Sequence, residues 1–416
     1  METAIIYDKW LSGMGGGEVV ACNMATCLRD SGYKVTILSH EKVSPDEIYF
    51  KLGIDMKGIS FTTGLSPKPS ALNPPDLFIN ISFMDYSYGI GKRNIYYVHF
   101  PSKIRSGLFN YVLQLFSFIK NNFPIPYSFI PKPFQERVND RLRAGIYPDM
   151  KKRLDSYDTF ITHSEYVKKW TKKLWNKDTL VLYPPVSLIG AKTEAAKETE
   201  GRGTASVNRV VVKNNWITSI GRFFTLGHGK KQEVMIEAFK RLTEAVKERS
   251  GETAPVNSAW ELHLVGGVGN EPSSLRFIKQ LQEQAKGYPI YFHFDASRSE
   301  VEEILCKSKI YWHAAGYGEN PDNDPIKFEH FGIAPIEAIS AGCLPVLFSG
   351  GGLTEILEIL GLHKGRYQFK SIEELVNITK NLIENSDSAL VQSLQIKANQ
   401  LFSLERFTEN FLRVVR

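Results

Sequence analysis

Residues 3–38 read TAIIYDKWLSGMGGGEVVACNMATCLRDSGYKVTIL. Thr3 to Asp8 is a short apolar run of the kind a buried strand shows. A glycine-dense turn follows, with Gly13, Gly15, Gly16 and Gly17. From Glu18 to Arg29 the apolar residues Val19, Val20, Met24 and Leu28 recur at helical spacing, and Val35–Leu38 is a second strand. Strand, glycine turn, helix and strand in that order open a doubly wound α/β domain. Working outward, Leu77–Ile81, Ile95–Val98, Thr159–Thr162 and Leu180–Leu182 read as further strands of one parallel sheet. Tyr183-Pro184-Pro185 then punctuates the chain, and Ala191–Ser206 lacks any apolar period, as a linker or surface insertion does. A second α/β series begins after it. Its strands are Trp216–Ile220, Glu261–Val265, Ile290–Phe294, Ile310–Trp312 and Leu344–Phe348, with helical patterns at Glu233–Val246 and Ser299–Cys306. The expected fold is therefore α/β with two Rossmann-like domains, 1–185 and 208–399. A terminal helix at about 400–416 is expected to pack back on the first. Two such halves place a site in the cleft they face.

Composition narrows the function classes. The chain has 416 residues, of which 43% are hydrophobic and 23% charged. That excludes a mainly disordered or collagen-like chain. A formal charge of +6 over this length is too small for a protein coated in basic residues to bind nucleic acid. Four cysteines without zinc-like spacing point to a reducing compartment and inert thiols. The first residues lack the basic start of a signal peptide, and no window of about 18 apolar residues marks a spanning helix. A cytoplasmic location, or the cytoplasmic face of a membrane, is expected.

Three stretches carry chemistry. In Gly13-Met14-Gly15-Gly16-Gly17-Glu18, missing Cβ atoms admit a ligand to the backbone at a helix start. The dinucleotide pattern G-x-G-x-x-G is broken because Glu18 takes the last glycine position. A tight structural turn explains this motif equally well. Next, Arg222 ends the first strand of the second half, and Gly229-Lys230-Lys231-Gln232 opens a helix. Two cations at the carboxyl edge of a sheet can neutralise a diphosphate and stabilise it as a leaving group, although two solvated surface cations would look the same. The third stretch runs EHFGIAPIEAISAG from Glu329 to Gly342. Pro335 suits a first helical turn, with Glu337 just inside it and Glu329 in the loop before. Carboxylates at this separation can turn toward one ligand and accept from vicinal sugar hydroxyls, while the helix start suits a phosphate.

The string EHFGIAPIEAISAGCLPVLFSGGGLTEIL resembles the E-x7-E motif of family 4 retaining glycosyltransferases, which have the GT-B fold. GGGE, YYVHFPS, ITHSEYVKKW, VLYPPV, SIGRFF, HGKKQEVMIEAF, LHLVGG and YWHAAGYGE follow the family in order along nearly the whole chain. The wording around YYVHFP and EHFGIAP is also similar to mannosyltransferases that extend lipid-linked oligosaccharides. The resemblance implies a transfer of a hexose such as mannose, with retention, from a GDP- or UDP-linked donor to a glycan or lipid-linked acceptor. By the same resemblance Arg222 and Lys230 hold the diphosphate, with Lys231 as substitute. Glu337 takes the ribose hydroxyls, and Glu329 the transferred sugar. Backbone amides of Phe331, Gly332 and Ile333 lie near the sugar and phosphates. Gly15 and Gly16 let the first domain close on the donor, and His99 sits near the 6-hydroxyl. No metal and no cofactor are implied. The interval between Arg222 and Lys230 is longer than the common pattern.

The segment 101–148 interrupts the α/β order. Ile104, Leu108, Val112, Leu115, Phe116 and Ile119 fall at helical spacing, and basic and aromatic residues flank them through 134. A peripheral membrane surface for a lipid-linked acceptor and a helix buried in the first domain explain it equally well. Asp322-Asn323-Asp324 looks like a D-x-D metal motif but sits in a Pro/Asn loop. His163, His228 and His313 are expected to be structural, and Gly350-Gly351-Gly352 a turn. Rival functions on the same fold are a nucleotide-sugar epimerase and a glycan phosphorylase. A silent sugar-binding subunit and an NAD-dependent oxidoreductase are further alternatives.

Overall fold

β1 (Thr3–Tyr7) buries Ala4, Ile6 and Tyr7 and lies third in a seven-stranded parallel sheet. The structure, a computed structural model, describes residues 1–67, 73–104, 149–189, 213–224, 229–250, 260–269, 272–385 and 387–416. The chain divides into two compact units. One is Met1–Tyr183 with Asn410–Arg416, and the other is Pro184–Glu409.

In the first unit β1 is joined by β2 (Lys34–Ser39), β3 (Ser60–Thr63), β4 (Leu77–Asn80), β5 (Arg93–Val98), β6 (Thr159–Thr162) and β7 (Leu180–Val181). The order is β3-β2-β1-β4-β5-β6-β7, so the chain reverses its direction of travel across the sheet between β1 and β4. Register is set by apolar pairs such as Ile6 beside Ile37 and Ile5 beside Phe78. All four residues of β4 are buried, which is why it reads as a continuous apolar run. β3 is short and its residues are mostly exposed, so it carries no such run. Helix Gly16–Asp30 packs Val20, Ala21, Met24, Ala25 and Leu28 into the core.

The second unit holds β8 (Asn214–Ile220), β9 (Glu261–Gly266), β10 (Ile290–Phe294), β11 (Ser308–His313), β12 (Leu344–Phe348) and β13 (Gln368–Phe369). Their order is β10-β9-β8-β11-β12-β13, all parallel. Here the reversal falls between β8 and β11. In open α/β sheets a ligand crevice forms at the carboxyl ends of the strands on either side of such a reversal.

Most of segment 101–148, all of Ala191–Ser206, and His228 lie outside the described residues. Among the described residues no helix is long and apolar enough to cross a membrane.

Candidate active site

The site grows from the end of β8. Gly221 follows Ile220, and a Cβ there would lie 2.5 Å from Cγ of Lys230. Glycine at this point lets the lysine stem lie across the strand end. Gly266, at the end of β9, is needed for the same reason, because its Cβ would lie 2.2 Å from the Gly221 carbonyl oxygen. The Gln232 amide ties the turn together by donating to the carbonyls of Gly221 and Arg222, each at 3.2 Å. Arg222 itself is exposed, with its guanidinium 5.2 Å from the Phe224 ring centre.

Lys230 Nζ donates to Glu329 Oε2 at 2.5 Å, joining residues 99 apart in sequence. Both side chains are mostly shielded from water, which strengthens the pairing relative to a surface ion pair. The same Oε2 lies 2.8 Å from His313 Nε2, at the carboxyl end of β11. Glu329 therefore sits where β8 and β11 end, at the reversal of strand order. Lys231 goes elsewhere. Its backbone is left-handed, with φ 58°, and its Nζ meets Glu319 Oε1 at 2.7 Å. Lys327 holds the other oxygen of Glu319 at 3.0 Å. Of the two candidate lysines, Lys230 is the one set on Glu329.

The Glu329 loop owes its path to the glycine triplet. A Cβ on Gly351 would lie 2.3 Å from the Glu329 carbonyl oxygen, and one on Gly352 equally close to that of His330. The Gly352 N–H also donates to the Glu329 carbonyl at 2.8 Å. The triplet read as a plain turn in the sequence is thus the bed on which the Glu329 backbone lies. Helix Ile333–Ser340 begins at Gly332, whose φ of 110° suits glycine. Pro335 falls in its first turn. The first turn itself carries no acid. Glu337 is the fifth helical residue. It is 8% exposed and pairs with Arg298 Nη1 at 2.7 Å. Burial pushes the Glu337 carboxyl above its ordinary range, and Arg298 draws it part of the way back. The expectation that one ligand gathers both glutamates thus meets two separate pairings, Glu329 with Lys230 and His313, and Glu337 with Arg298. Three loop residues and just over one helical turn separate them, and the turn carries Glu337 toward helix Arg298–Lys307. Phe331 turns its ring into the core against Phe402, leaving its backbone and that of Ile333 at the helix start.

In the first unit the acid that breaks the dinucleotide pattern has a local task. Glu18 Oε2 accepts from the Gly15 N–H at 2.6 Å, capping the helix that Gly16 opens. His99 follows β5, and its Nε2–H donates to the Ile81 carbonyl at 2.6 Å. Burial pushes this imidazole down to about 4, so it is neutral at pH 7 with Nδ1 as an acceptor. The glycine that matters to it is Gly17, where a Cβ would lie 2.7 Å from the ring. His163 Nε2 donates to the His99 carbonyl at 3.1 Å.

Residues that sequence reasoning left out of the site are His313, Tyr311, Arg298 and Gly17. A lone histidine on a strand has no local signature, and Arg298 is 39 positions from its partner. Asp322-Asn323-Asp324 lies in an exposed turn organised by Asn320 Oδ1, which accepts from the N–H groups of Asp322 and Asn323. Among the described residues, no three His, Cys, Asp or Glu side chains gather as metal ligands. The four cysteines are free, and burial pushes the Cys22 and Cys343 thiols up to about 12 and about 11.

Residues 206–398, which span this site, match the family described as Glycosyl transferases group 1. That segment is a group 1 glycosyl transferase domain. A GDP-Man:Man(3)GlcNAc(2)-PP-Dol alpha-1,2-mannosyltransferase of Dictyostelium discoideum is 23% identical over 256 residues, 60% of this chain and 45% of that protein. The protein of the same description from Mus musculus is 24% identical over 208 residues, 49% of this chain and 38% of its own. The chain thus spans less than half the length of these relatives. Among solved structures, a glycosyltransferase of Rickettsia africae superposes with a TM-score of 0.61 at 15% identity, over 99% of this chain and 97% of its own. Anabaena HepE, solved with UDP and glucose, gives 0.60 at 14% identity, over 100% and 99%. The group 1 domain and the unit before it therefore have the GT-B type of two-unit α/β fold.

Proposed function

We propose that this protein is a retaining glycosyltransferase. It moves a hexosyl group, best supported as mannose, from a GDP-linked donor to a glycan or lipid-linked acceptor. The observation that carries the reading is the Lys230–Glu329 pair at the strand-order reversal of a group 1 glycosyl transferase domain. A cation and a carboxylate in contact suit the two ends of a nucleotide sugar. Lys230, with Arg222, neutralises charge that builds on the diphosphate as the glycosidic bond breaks. Glu329 accepts from sugar hydroxyls, and Glu337 from those of the ribose. Backbone amides of Phe331, Gly332 and Ile333 face the donor, while Gly15, Gly16 and His99 serve from the first unit. Attack comes on the face the phosphate leaves, and a phosphate oxygen takes the acceptor's proton, so the protein mainly positions reactants and stabilises the leaving group. Mannose and GDP are favoured because the similar curated proteins are named for GDP-Man; UDP is the nucleotide named with HepE.

The test is a panel of GDP- and UDP-sugars with release of nucleoside diphosphate measured, with and without a lipid-linked glycan. GDP release from GDP-mannose that rises with the acceptor, and persists in excess EDTA, is the expected result. Conversion of a lone nucleotide sugar to its epimer would replace this reading, as would sugar 1-phosphate formed only with free phosphate. The membrane arm of the proposal, contact through 104–134, is tested by flotation with anionic and neutral liposomes.

A further inference from the structure

The chain of contacts behind Glu329 continues into the sheet. His313 is the last residue of β11 and is 2% exposed. Its Nε2 lies 2.8 Å from Glu329 Oε2, and its Nδ1 lies 3.2 Å from the Tyr311 hydroxyl. Tyr311 and His313 are two apart on one strand, so their side chains share a face of the sheet, and their rings stack at 22°. The Tyr311 hydroxyl also reaches the Ile220 backbone at the end of β8, 3.4 Å from its nitrogen and 3.5 Å from its carbonyl oxygen, both longer than the contact to His313.

The shorter of these contacts define one arrangement of protons. A carboxylate only accepts, so Nε2 must carry the hydrogen. In a neutral imidazole Nδ1 is then an acceptor, and the Tyr311 O–H supplies it. Burial keeps the phenol protonated, holding it well above its ordinary range. Burial also lowers the imidazole from its usual value, only partly countered by Glu329.

We propose that His313 is a positioning residue for the reaction, donating from the rigid sheet to fix the Glu329 carboxylate, with Tyr311 fixing the tautomer of His313. Glu329 stands on a loop, and a donor on a strand of the sheet holds its carboxylate more rigidly than a flexible lysine does. Lys230 has a second task at the diphosphate. His313 is the donor that stays on Oε2 while Lys230 turns to that task. The inference rests on the reading of Glu329 as a donor-sugar ligand.

Three variants test it: His313→Leu, which fills the space without a donor, His313→Gln, which restores an N–H near Nε2, and Tyr311→Phe. GDP release from GDP-mannose and calorimetric binding of GDP alone are measured for each. His313→Leu should lower kcat by about 10–100-fold, as a misplaced catalytic contact does. GDP, which lacks the sugar, should bind as tightly as to the wild type. His313→Gln should recover most of the lost turnover, and Tyr311→Phe should fall between. Wild-type turnover by His313→Leu would overturn the proposal. Parallel loss of GDP binding and turnover without recovery in His313→Gln would also overturn it, since that marks a purely structural histidine. A second readout does not need turnover. The 15N shifts of the His313 ring at pH 7 should show hydrogen on Nε2 in the wild type and lose that single tautomer in Glu329→Ala. Hydrogen on Nδ1 in the wild type would refute the arrangement. If the wild type releases no diphosphate from any nucleotide sugar while the ring shows the Nε2 tautomer, the glycosyltransfer reading fails and the contact stands.

Discussion

One oxygen of Glu329 takes both Lys230 and His313, and this concentration of donors on a single atom makes it the residue on which function should turn. Glu329→Ala is expected to lower transfer by about 100–1000-fold, the range for losing a charge-positioning contact, with the fold intact by circular dichroism. Arg222 is exposed, so Arg222→Ala should fold normally and still lose transfer. A well-folded Arg222→Ala protein with wild-type turnover would remove Arg222 from the diphosphate. His99 governs acid sensitivity instead. Its folded value is about 4 because of burial, against about 6.5 in the unfolded chain. Above pH 6.5 neither state binds the proton, and stability is whole. As pH falls from about 6.5 to about 4, the unfolded chain takes up a proton that the folded chain refuses, and about 3 kcal/mol of stability is lost. The thermal midpoint should fall across that window and fall less in His99→Asn.

At the scale of an element, helix Gly352–Leu360 shows two glycines with different duties. Gly351, at its start, has φ 62° and lies under the Glu329 carbonyl. Gly361, at its end, has φ 73° and closes the helix. Alanine at either strains the backbone by about 1–3 kcal/mol. Only Gly351→Ala should also displace the Glu329 loop. Donor turnover per folded molecule should therefore drop in Gly351→Ala and hold in Gly361→Ala. Comparing kcat with the thermal midpoint for the two variants separates a site effect from a stability effect.

At the scale of the whole molecule, the chain leaves the first unit at Tyr183 and its last residues, Asn410–Arg416, belong to that unit again. Arg93 on β5 receives them, its guanidinium donating to the carbonyls of Val414 and Val415. Charge-assisted bonds of this kind contribute about 1.5–3 kcal/mol each. Arg93→Met, or removal of residues 410–416, should lower the unfolding midpoint of the first unit and leave GDP binding by the second unchanged, as calorimetry would show.

What the amino-acid sequence by itself determined is the strand framework and the position of the E-x7-E string. Central parallel strands are buried on both faces, so β4, β6 and β12 appear as apolar runs that local inspection finds. β3 and β13 do not, because one is exposed and the other is two residues long. The colinear motifs pointed to the family because they are long and specific. Only the tertiary structure decided the contacts. It set Lys230 rather than Lys231 on Glu329, since Lys231, with its left-handed backbone, turns its own side chain toward Glu319. It gave Glu337 to Arg298 and placed His313 and Tyr311 behind Glu329. It also turned Gly351 and Gly352 from an ordinary turn into the seat of the Glu329 loop. The physical reason is common to all four. Strand formation follows from local periodicity, whereas a hydrogen bond between residues far apart in the chain exists only where two strand ends, a loop and a helix start are brought to one edge of a sheet.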